Sequence, residues 1–571
     1  MNPNVAQRKT ILFVSASADC FSAPLGAATV ASALHAAPGM AERLEIKLLE
    51  AEPHESPEGL ARLILAEGPD LVGFSLYVWN RKLLAAASRI VKGQAPHVRC
   101  FAGGPEAGAR IESLWSEGDL DAVCLGEGEA SALPLINAWL AETDIGGLPG
   151  VLSRGQSLAA AAPCQAVKPE SLVSPWLSGL LDPADYPNLQ WEISRGCPYS
   201  CAYCYESRGI KGTRSFPLER VAAELALFAE GGVEEVDVLD PTFNVDRGRA
   251  VNLLKLFMEL APETRFNLEL RAELLDREQA RLFAQFPCSV QVGLQSADPD
   301  VMRNLNRPFD PAVFSRKVRL LDEAGAIYGF DLIYGLPGDT LAGFEKSLAF
   351  ALELRPNNLE LFKLSVLPGT PLAERAAEFS LDYDAEAPYH VRSSPGFPAA
   401  DLRRAESLAQ AADAFYNRGR AVAWFLPVLN ALRLDPLRFL RAVDESLSSA
   451  DRAYFCREGD DAPADYSLRL EDWSLGVLKE AARRQGKESL YLAIEALVRL
   501  HGAYSRALAE GTPSVIDIAY DPDVLLGPES LDLVGLVKRH QQRHHRIWVG
   551  EDEEGEITYE PYSGGNHDRH P

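Results

Sequence analysis

Cysteine is scarce: nine in 571 residues, three of them in one short loop. That is too few, and too unevenly placed, for a disulfide framework, and it points to a reducing cytoplasm. Positive charge is also in short supply. Against 81 Asp and Glu stand 56 Lys and Arg, giving a formal net charge of −25 and a pI near 4.9, which argues against nucleic acid as the main partner. No uncharged apolar run approaches the roughly 20 residues of a membrane span, so no membrane partner is expected. The opening MNPNVAQRKT runs straight into a strand pattern, without the apolar region of a signal peptide. No low-complexity tract dominates either. A chain this long exceeds a single core and should divide into roughly two to four domains.

Residues 10–140 alternate strand-like and helix-like runs. TILFVSA (10–16), LEIKLLE (44–50), DLVGFSL (70–76), VRCFAGG (98–104) and DAVCLGEG (121–128) are short apolar strands. Amphipathic stretches at 27–36, 57–67, 81–93, 107–116 and 129–141 separate them. Five βα units of this kind predict a doubly wound parallel sheet, which binds ligands at the carboxyl ends of its strands. Those ends carry Ser15, the loop Ser22 to Gly26, Ser75 to Asn80, Gly103 to Glu106, and Gly126 to Glu129. The glycine pair Gly103-Gly104 would let backbone approach a bulky ligand closely, although the same glycines could serve tight turns alone.

Residues 145–185, rich in Pro, Ala, Ser and Gly, read as a packed linker. A second alternation follows, with strands at 190–194, 235–239, 265–270, 289–294, 329–334 and 359–366 and helices at 218–230, 248–260, 276–285, 311–324 and 342–354. Beyond 376, helical periodicity at 400–420, 427–449, 472–484 and 488–508 predicts a mostly α domain. His540, His544 and His545 are read as one face of a Lys/Arg-bearing helix, a solvated face rather than a metal site. The acidic tail 551–571 is expected to be mobile.

The stretch WEISRGCPYSCAYCYE (191–206) organises the chain. Its Cys197, Cys201 and Cys204 form a C-x3-C-x2-C run that resembles the cluster loop of the radical S-adenosylmethionine (SAM) superfamily. In that family three thiolates hold three irons of a [4Fe-4S] cluster and leave the fourth iron open to SAM. A zinc site wants a fourth ligand close by, and this loop offers none; plain buried cysteines are the other alternative. The phrases PDLVGFSLYVW, FAGGPEA and LGEGEA likewise resemble the cobalamin-binding domain that precedes the radical domain in cobalamin-dependent members. The segment Ala387-Pro388-Tyr389-His390, followed by the helix to Tyr416-Asn417, resembles the accessory C-terminal domain of a poorly characterised branch of that family.

The resemblance implies a fold: α/β, with a doubly wound (Rossmann-like, flavodoxin-like) cobalamin domain over 1–145, a linker over 146–185, a partial (β/α)6 TIM-like barrel over 186–375, a mostly α domain over 376–550 and a tail over 551–571. It also implies site residues. Cys197, Cys201 and Cys204 would carry the cluster. SAM would meet Tyr203 beside its adenine, Asp240, Thr242 and Asn244 at its ammonium, Arg271 at its carboxylate, Gln295 and Ser296 at its ribose, and Tyr334, Gly335, Ser365 and Val366 around its adenine. Cobalamin would meet Ser15, Pro24, Leu25, Gly26, Ser75, Tyr77, Val78, Trp79, Asn80, Gly103, Gly104, Pro105, Glu106, Gly126, Glu127, Gly128 and Glu129, with Arg81 a further candidate for its lower face. The cobalt-ligating D-x-H-x-x-G loop of methionine synthase-like domains is missing, since the corresponding residues read Asp19-Cys20-Phe21-Ser22-Ala23-Pro24. Base-off cobalamin without a histidine ligand is therefore expected.

The activity implied is transfer of a methyl group from methylcobalamin to an unactivated carbon by way of a 5′-deoxyadenosyl radical. The substrate would be a small molecule or a peptide, and the electron donor a flavodoxin or ferredoxin. Cyclisation or rearrangement is the alternative within the family, with a tRNA methylthiotransferase or a non-catalytic corrinoid carrier behind it. Methylthiotransferases carry a second cluster on N-terminal cysteines, but Cys100 and Cys124 fall inside apolar strands, where cysteine packs as a small hydrophobe. Cys20 and Cys164 are read the same way.

Overall fold

Ile11, Leu12, Phe13 and Val14 are all buried. A strand covered on both faces belongs to a parallel sheet with helices on either side. The computed structural model describes residues 8–17, 22–52, 54–164, 166–206, 212–455, 463, 465–552 and 555–562. Its chain divides into two compact units: Met1–Val292 with Arg303–Ile327 and Leu364–Arg392, and Gly293–Met302 with Tyr328–Lys363 and Ser393–Pro571.

In the first unit, strands β1 (Lys9–Ala16), β2 (Leu44–Ala51), β3 (Leu71–Ser75), β4 (Arg99–Gly103), β5 (Ala122–Cys124) and β6 (Val151–Ser153) form a sheet in the order β2-β1-β3-β4-β5-β6. The first five run parallel, with Ile11 opposite both Ile46 and Leu71. Alternate residues of β1 feed two separate cores. Leu12 and Val14 pack with Leu60, Ile64, Leu84 and Val91 of the helices Pro57–Ala66 and Arg81–Gln94. Ile11 and Phe13 pack with Leu34, Leu135 and Trp139 of the helices Leu25–Ala36 and Gly128–Leu140. Strand order reverses between β1 and β3, which makes their carboxyl ends the switch-point crevice of a doubly wound sheet. One expectation is corrected here: the region read as linker supplies β6, which pairs antiparallel with β5.

The second alternation supplies β7 (Asn188–Glu192), the short pair β8 (Ser194–Arg195) and β9 (Arg214–Ser215), then β10 (Glu235–Leu239), β11 (Arg265–Leu270), β12 (Cys288–Gln295), β13 (Ile327–Tyr334) and β14 (Asn358–Lys363). In the first unit β7, β10, β11 and β12 are parallel neighbours in that order. In the second unit β13 and β14 form a parallel pair, with Phe330 opposite Leu359. All six barrel strands predicted from periodicity are present, within a few residues of their expected ends. Two short strands, β15 (Asp382–Tyr383) and β16 (Val391–Ser393), pair with each other.

The rest of the second unit is mainly helical, with long helices at Tyr466–Arg484 and Tyr491–Glu510. It also holds an antiparallel sheet, β17 (Ser514–Ile518), β18 (His545–Glu551) and β19 (Ile557–Pro561). That sheet corrects two expectations. His540 caps a helix that ends at Arg539 and His545 begins β18, so the three histidines do not share a helix face. Part of the supposed mobile tail is β19, which pairs antiparallel with β18, Val549 opposite Tyr559 and Glu551 opposite Ile557. No helix among the described residues is long and apolar enough to cross a membrane.

Candidate functional site

The cysteine loop leaves β8 at Gly196, whose φ of +75° suits glycine at this sharp exit. Cys201 is buried, and Cys197 and Cys204 are half-buried. Burial pushes the Cys204 thiol up to about 11, so this group needs a metal to become a thiolate at neutral pH. Polar groups already face two of the sulfurs, the Arg271 guanidinium as a donor. The Thr242 hydroxyl lies 3.7 Å from Cys197 Sγ, and Arg271 Nη1 lies 4.0 Å from Cys201 Sγ. Among the described residues no three of His, Cys, Asp and Glu converge as they would on one metal ion; in a four-iron cluster each thiolate has an iron of its own. Polar groups set around separated thiols suit such a cluster, whose potential depends on bonds to its sulfurs.

Neighbouring loops are locked to one another. Asn244 and Arg271 exchange two bonds: the Asn244 Nδ2 donates to the Arg271 carbonyl (3.0 Å) and Asn244 Oδ1 accepts the Arg271 N–H (3.1 Å). Asn244 therefore fixes the end of β11 and is not available to a ligand. The Arg271 guanidinium stacks on Tyr199 at 3.8 Å and donates from Nε to Glu273 at 2.7 Å, so a nearby acid holds it. Asp240 is buried and accepts the Thr242 N–H at 3.1 Å. Burial pushes its carboxyl up, and an ammonium placed there would relieve that penalty. Arg307, unpredicted, acts by charge on both Tyr203 and Cys201. Burial raises the Tyr203 phenol while Arg307 opposes it.

The ends of the N-terminal sheet reach the same loop. Arg195, two residues before Cys197, donates from Nη2 to Glu129 (2.7 Å) and to Glu192 (2.9 Å), from Nε to Glu192 (2.9 Å), and lies 3.6 Å from Glu127 through Nη1. Arg214 also pairs with Glu127, which accepts the Val167 N–H as well. Burial opposes ionisation of Glu127, yet the Arg214 and Val167 hydrogen bonds bring its carboxyl below the usual range. On the other side Tyr205 donates to the Pro105 carbonyl at 3.0 Å. Glu127, Glu129 and Pro105, expected at a corrin, thus tie the cysteine loop to β4 and β5.

Other expected corrin residues divide between structure and surface. Glu106 is buried between Arg81 and Tyr389, whose hydroxyl donates to it at 2.8 Å. Arg81 gives all three guanidinium nitrogens to Glu117, Glu106, Ser113 and the Arg110 carbonyl. Asn80 caps the turn through the Tyr77 N–H (2.8 Å) and donates to the Ala16 carbonyl (2.9 Å). Arg81, Asn80 and Glu106 are therefore internal supports. Trp79 is the opposite case: 57% exposed, it stacks flat on Tyr77 at 4.6 Å and 8°, anchored by Nε1 to the Ala16 carbonyl. Gly26 lies under Tyr77, where a Cβ would come within 2.4 Å of the hydroxyl, and Gly104 at φ +96° has no room for one beside the Leu76 carbonyl. An open aromatic plate over glycine-lined loops at the switch point suits a corrin. Ser15 is buried at the end of β1; Pro24 and Leu25 start the next helix, Ser75 and Gly103 are the last residues of β3 and β4, Val78 and Gly126 lie in loops, and Gly128 opens the helix Gly128–Leu140. Asp19, Cys20 and Phe21 lie outside the described residues. Burial pushes the Cys100 and Cys124 thiols up to about 12, as core residues.

Ser365 and Val366, in the first unit, pair with the segment 389–391: Ser365 Oγ with His390 Nδ1 (3.3 Å), and the Val366 N–H with the Tyr389 carbonyl (2.9 Å). The Val366 N–H is thereby taken. In the second unit Gln295 ends β12 at φ +63°, a costly conformation for a side-chain-bearing residue. Ser296 accepts the Asp298 N–H and meets Ser347, as a cap rather than a free hydroxyl. The Tyr334 ring packs on Phe344, and Gly335 turns at φ +84°.

Residues 11–135 match the B12 binding domain family and residues 191–351 the Radical SAM superfamily. The chain is 28% identical over 355 residues to the cobalamin-dependent radical SAM methyltransferase TokK of Streptomyces tokunonensis, covering 58% of this chain and 52% of TokK. It is 27% identical over 338 residues to the 2-(S-pantetheinyl)-carbapenam-3-carboxylate methyltransferase of Streptantibioticus cattleyicolor, covering 55% and 50%. The chain thus spans about half the length of these curated relatives. Its fold resembles the cobalamin-dependent SAM radical enzyme OxsB (TM-score 0.59, 14% identity, 93% of this chain and 83% of that one). It also resembles the radical SAM methyltransferase TsrM of Kitasatospora setae (TM-score 0.53, 18% identity, 66% and 79%). Residues 11–135 are a B12-binding domain, and residues 191–351 are a domain of the radical SAM superfamily.

Proposed function

We propose that this chain is a cobalamin-dependent radical SAM methyltransferase acting on an unactivated carbon of a small molecule or peptide. One observation carries the reading: the cysteine loop is tied through Arg195 and Tyr205 to the loops after β4 and β5. A cluster and a cobalamin held on these elements would be adjacent, as methyl transfer to a substrate radical requires. When bound, the cluster with SAM would supply single-electron cleavage of the sulfonium, and cobalamin would supply the methyl group.

The residues of this chain position and neutralise. Cys197, Cys201 and Cys204 would ligate three irons, Arg271 would donate toward the Cys201 sulfur, and Asp240 would accept from the SAM ammonium. Tyr77 and Trp79 offer the flat surface for the corrin. With no D-x-H-x-x-G loop, the cobalamin would be base-off and without a histidine ligand. Cys100, Cys124, Cys197, Cys201, Cys204 and Cys288 form no disulfide among the described residues, which supports a reducing cytoplasm, where a flavodoxin or ferredoxin would deliver the electron.

Anaerobic reconstitution with iron, sulfide and hydroxocobalamin tests the reading. The wild-type protein should retain iron, sulfide and cobalamin and release 5′-deoxyadenosine from SAM. Cys201→Ala should lose iron while retaining cobalamin. Retention of neither cofactor by the wild-type protein would refute the proposal.

A further inference from the structure

Three arginines come together in the helical part of the second unit, in a chain whose net charge is −25. Arg418, Arg420, Ser474 and Arg506 line one cleft with Glu471 and Gly502. The helix Ala399–Ala412 continues as a π-helix over Asp413–Arg418, a distortion found frequently at functional sites. Two residues on, Arg420 adopts φ +49°, a left-handed conformation that a side-chain-bearing residue keeps only when its surroundings impose it. The helices Tyr466–Arg484 and Tyr491–Glu510 contribute Ser474 and Arg506.

Each arginine is anchored, and two are left incomplete. Arg420 donates from Nη2 to Glu510 at 2.7 Å, while its buried Nη1 has no acceptor among the described residues. Arg506, 4% exposed, donates from Nη1 to Glu471 at 2.6 Å and from Nε to Ser514 at 3.3 Å, yet its Nη2 has none. The hydroxyl of Ser474, 1% exposed, has no partner either. Arg418 is held through Nε by Asp413 at 2.7 Å. Glu471, the one acid lining the cleft, already accepts from both Arg506 and Arg499. Gly502 keeps that pair clear, since a Cβ there would come within 2.2 Å of Glu471 Oε2.

Buried donors without acceptors are rare in folded proteins because each loses its hydration without compensation. Here two cationic forks and a hydroxyl share the deficit in one cleft. A ligand with several negatively charged oxygens would satisfy all three at once, and the guanidinium fork matches such an oxyanion bidentately. We propose that this cleft binds a phosphate-type oxyanion, either the free ion or the phosphate of a small molecule. The site is independent of the cluster and of cobalamin.

Isothermal titration of the full-length protein with inorganic phosphate, glycerol 3-phosphate and acetate, at matched ionic strength in chloride, tests this. Saturable phosphate binding is expected. Arg420→Gln should weaken it about tenfold or more, the loss of a charge-assisted hydrogen bond, and Ser474→Ala about fivefold. Helical circular dichroism should be unchanged in both variants. Tighter binding of glycerol 3-phosphate identifies an ester as the ligand, and tighter binding of inorganic phosphate the free ion. Absence of saturable binding, acetate binding as tight as phosphate, or unaltered affinity in both variants would overturn the proposal. Ser474→Ala serves as the second variant because the hydroxyl it removes makes no hydrogen bond among the described residues.

Discussion

Around the cysteine loop, guanidinium groups meet acceptors at almost every nitrogen. Arg195 is matched by Glu127, Glu129 and Glu192, and Arg81 by two carboxylates, two carbonyls and a hydroxyl; among the described residues Arg214 leaves only its Nε over. In the C-terminal cleft, Arg420 and Arg506 are each tied by one carboxylate and left with a buried nitrogen unmet. The first arrangement holds segments in place, because a saturated cation has nothing left to offer a ligand. The second keeps capacity in reserve. The same residue type thus marks a fastening in one region and a receptor in the other, and hydrogen-bond accounting tells them apart.

The largest test of this contrast is Arg195→Ala. It strands Glu129 and Glu192 without their cation, and breaking a buried pair of this kind costs about 3 kcal/mol. Denaturant unfolding should show that loss, and adding Glu129→Gln should recover part of it, since residues in contact do not contribute additively. A stability unchanged by Arg195→Ala would reduce the fastening to a surface ion pair.

Asp339 gives the intermediate effect and extends the comparison to an acid. Its Oδ2 is buried without a partner among the described residues, and burial pushes its carboxyl up to about 6. The unfolded carboxyl titrates near 4, so between about pH 4 and pH 6 the folded protein binds more protons. Stability from this group therefore falls as pH rises through that window, and the penalty is complete above it. Asp339→Asn should be about 1–3 kcal/mol more stable than the wild-type protein at pH 7.5 and no different near pH 4. Thermal unfolding across pH measures this.

Tyr389→Phe is the smallest. It removes the hydroxyl bonded to Glu106 and leaves Arg81 paired, so the expected cost is about 1 kcal/mol. A much larger loss in denaturant titrations would mean that the Arg81 network depends on the phenol.

How far the sequence could be read follows from what each signal depends on. Strand and helix positions were legible because burial on one or both faces writes a period into the chain; all six barrel strands and the first five strands of the N-terminal sheet appear where apolar runs placed them. The antiparallel β6 and the sheet β17-β18-β19 were not, because Val151–Ser153 is too short to show a period and β17 is separated in sequence from its partner β18. Among site residues, the cysteines, Asp240 and Trp79 could be singled out because chemistry restricts which residue can serve. Asn244, Ser296, Glu106 and Glu129 carry side chains equally suited to ligand or backbone, and in the fold their partners are a carbonyl, an N–H, a phenol and an arginine.

Sequence alone determined the order of the two α/β regions and the three thiols on one loop, since these rest on local periodicity and on spacing within eight residues. Only tertiary structure decided which polar groups are satisfied. Arg195 closing on acids 66 residues earlier, and Arg506 left short of an acceptor, depend on contacts between distant segments, and no local pattern in the chain encodes whether a buried donor finds its partner.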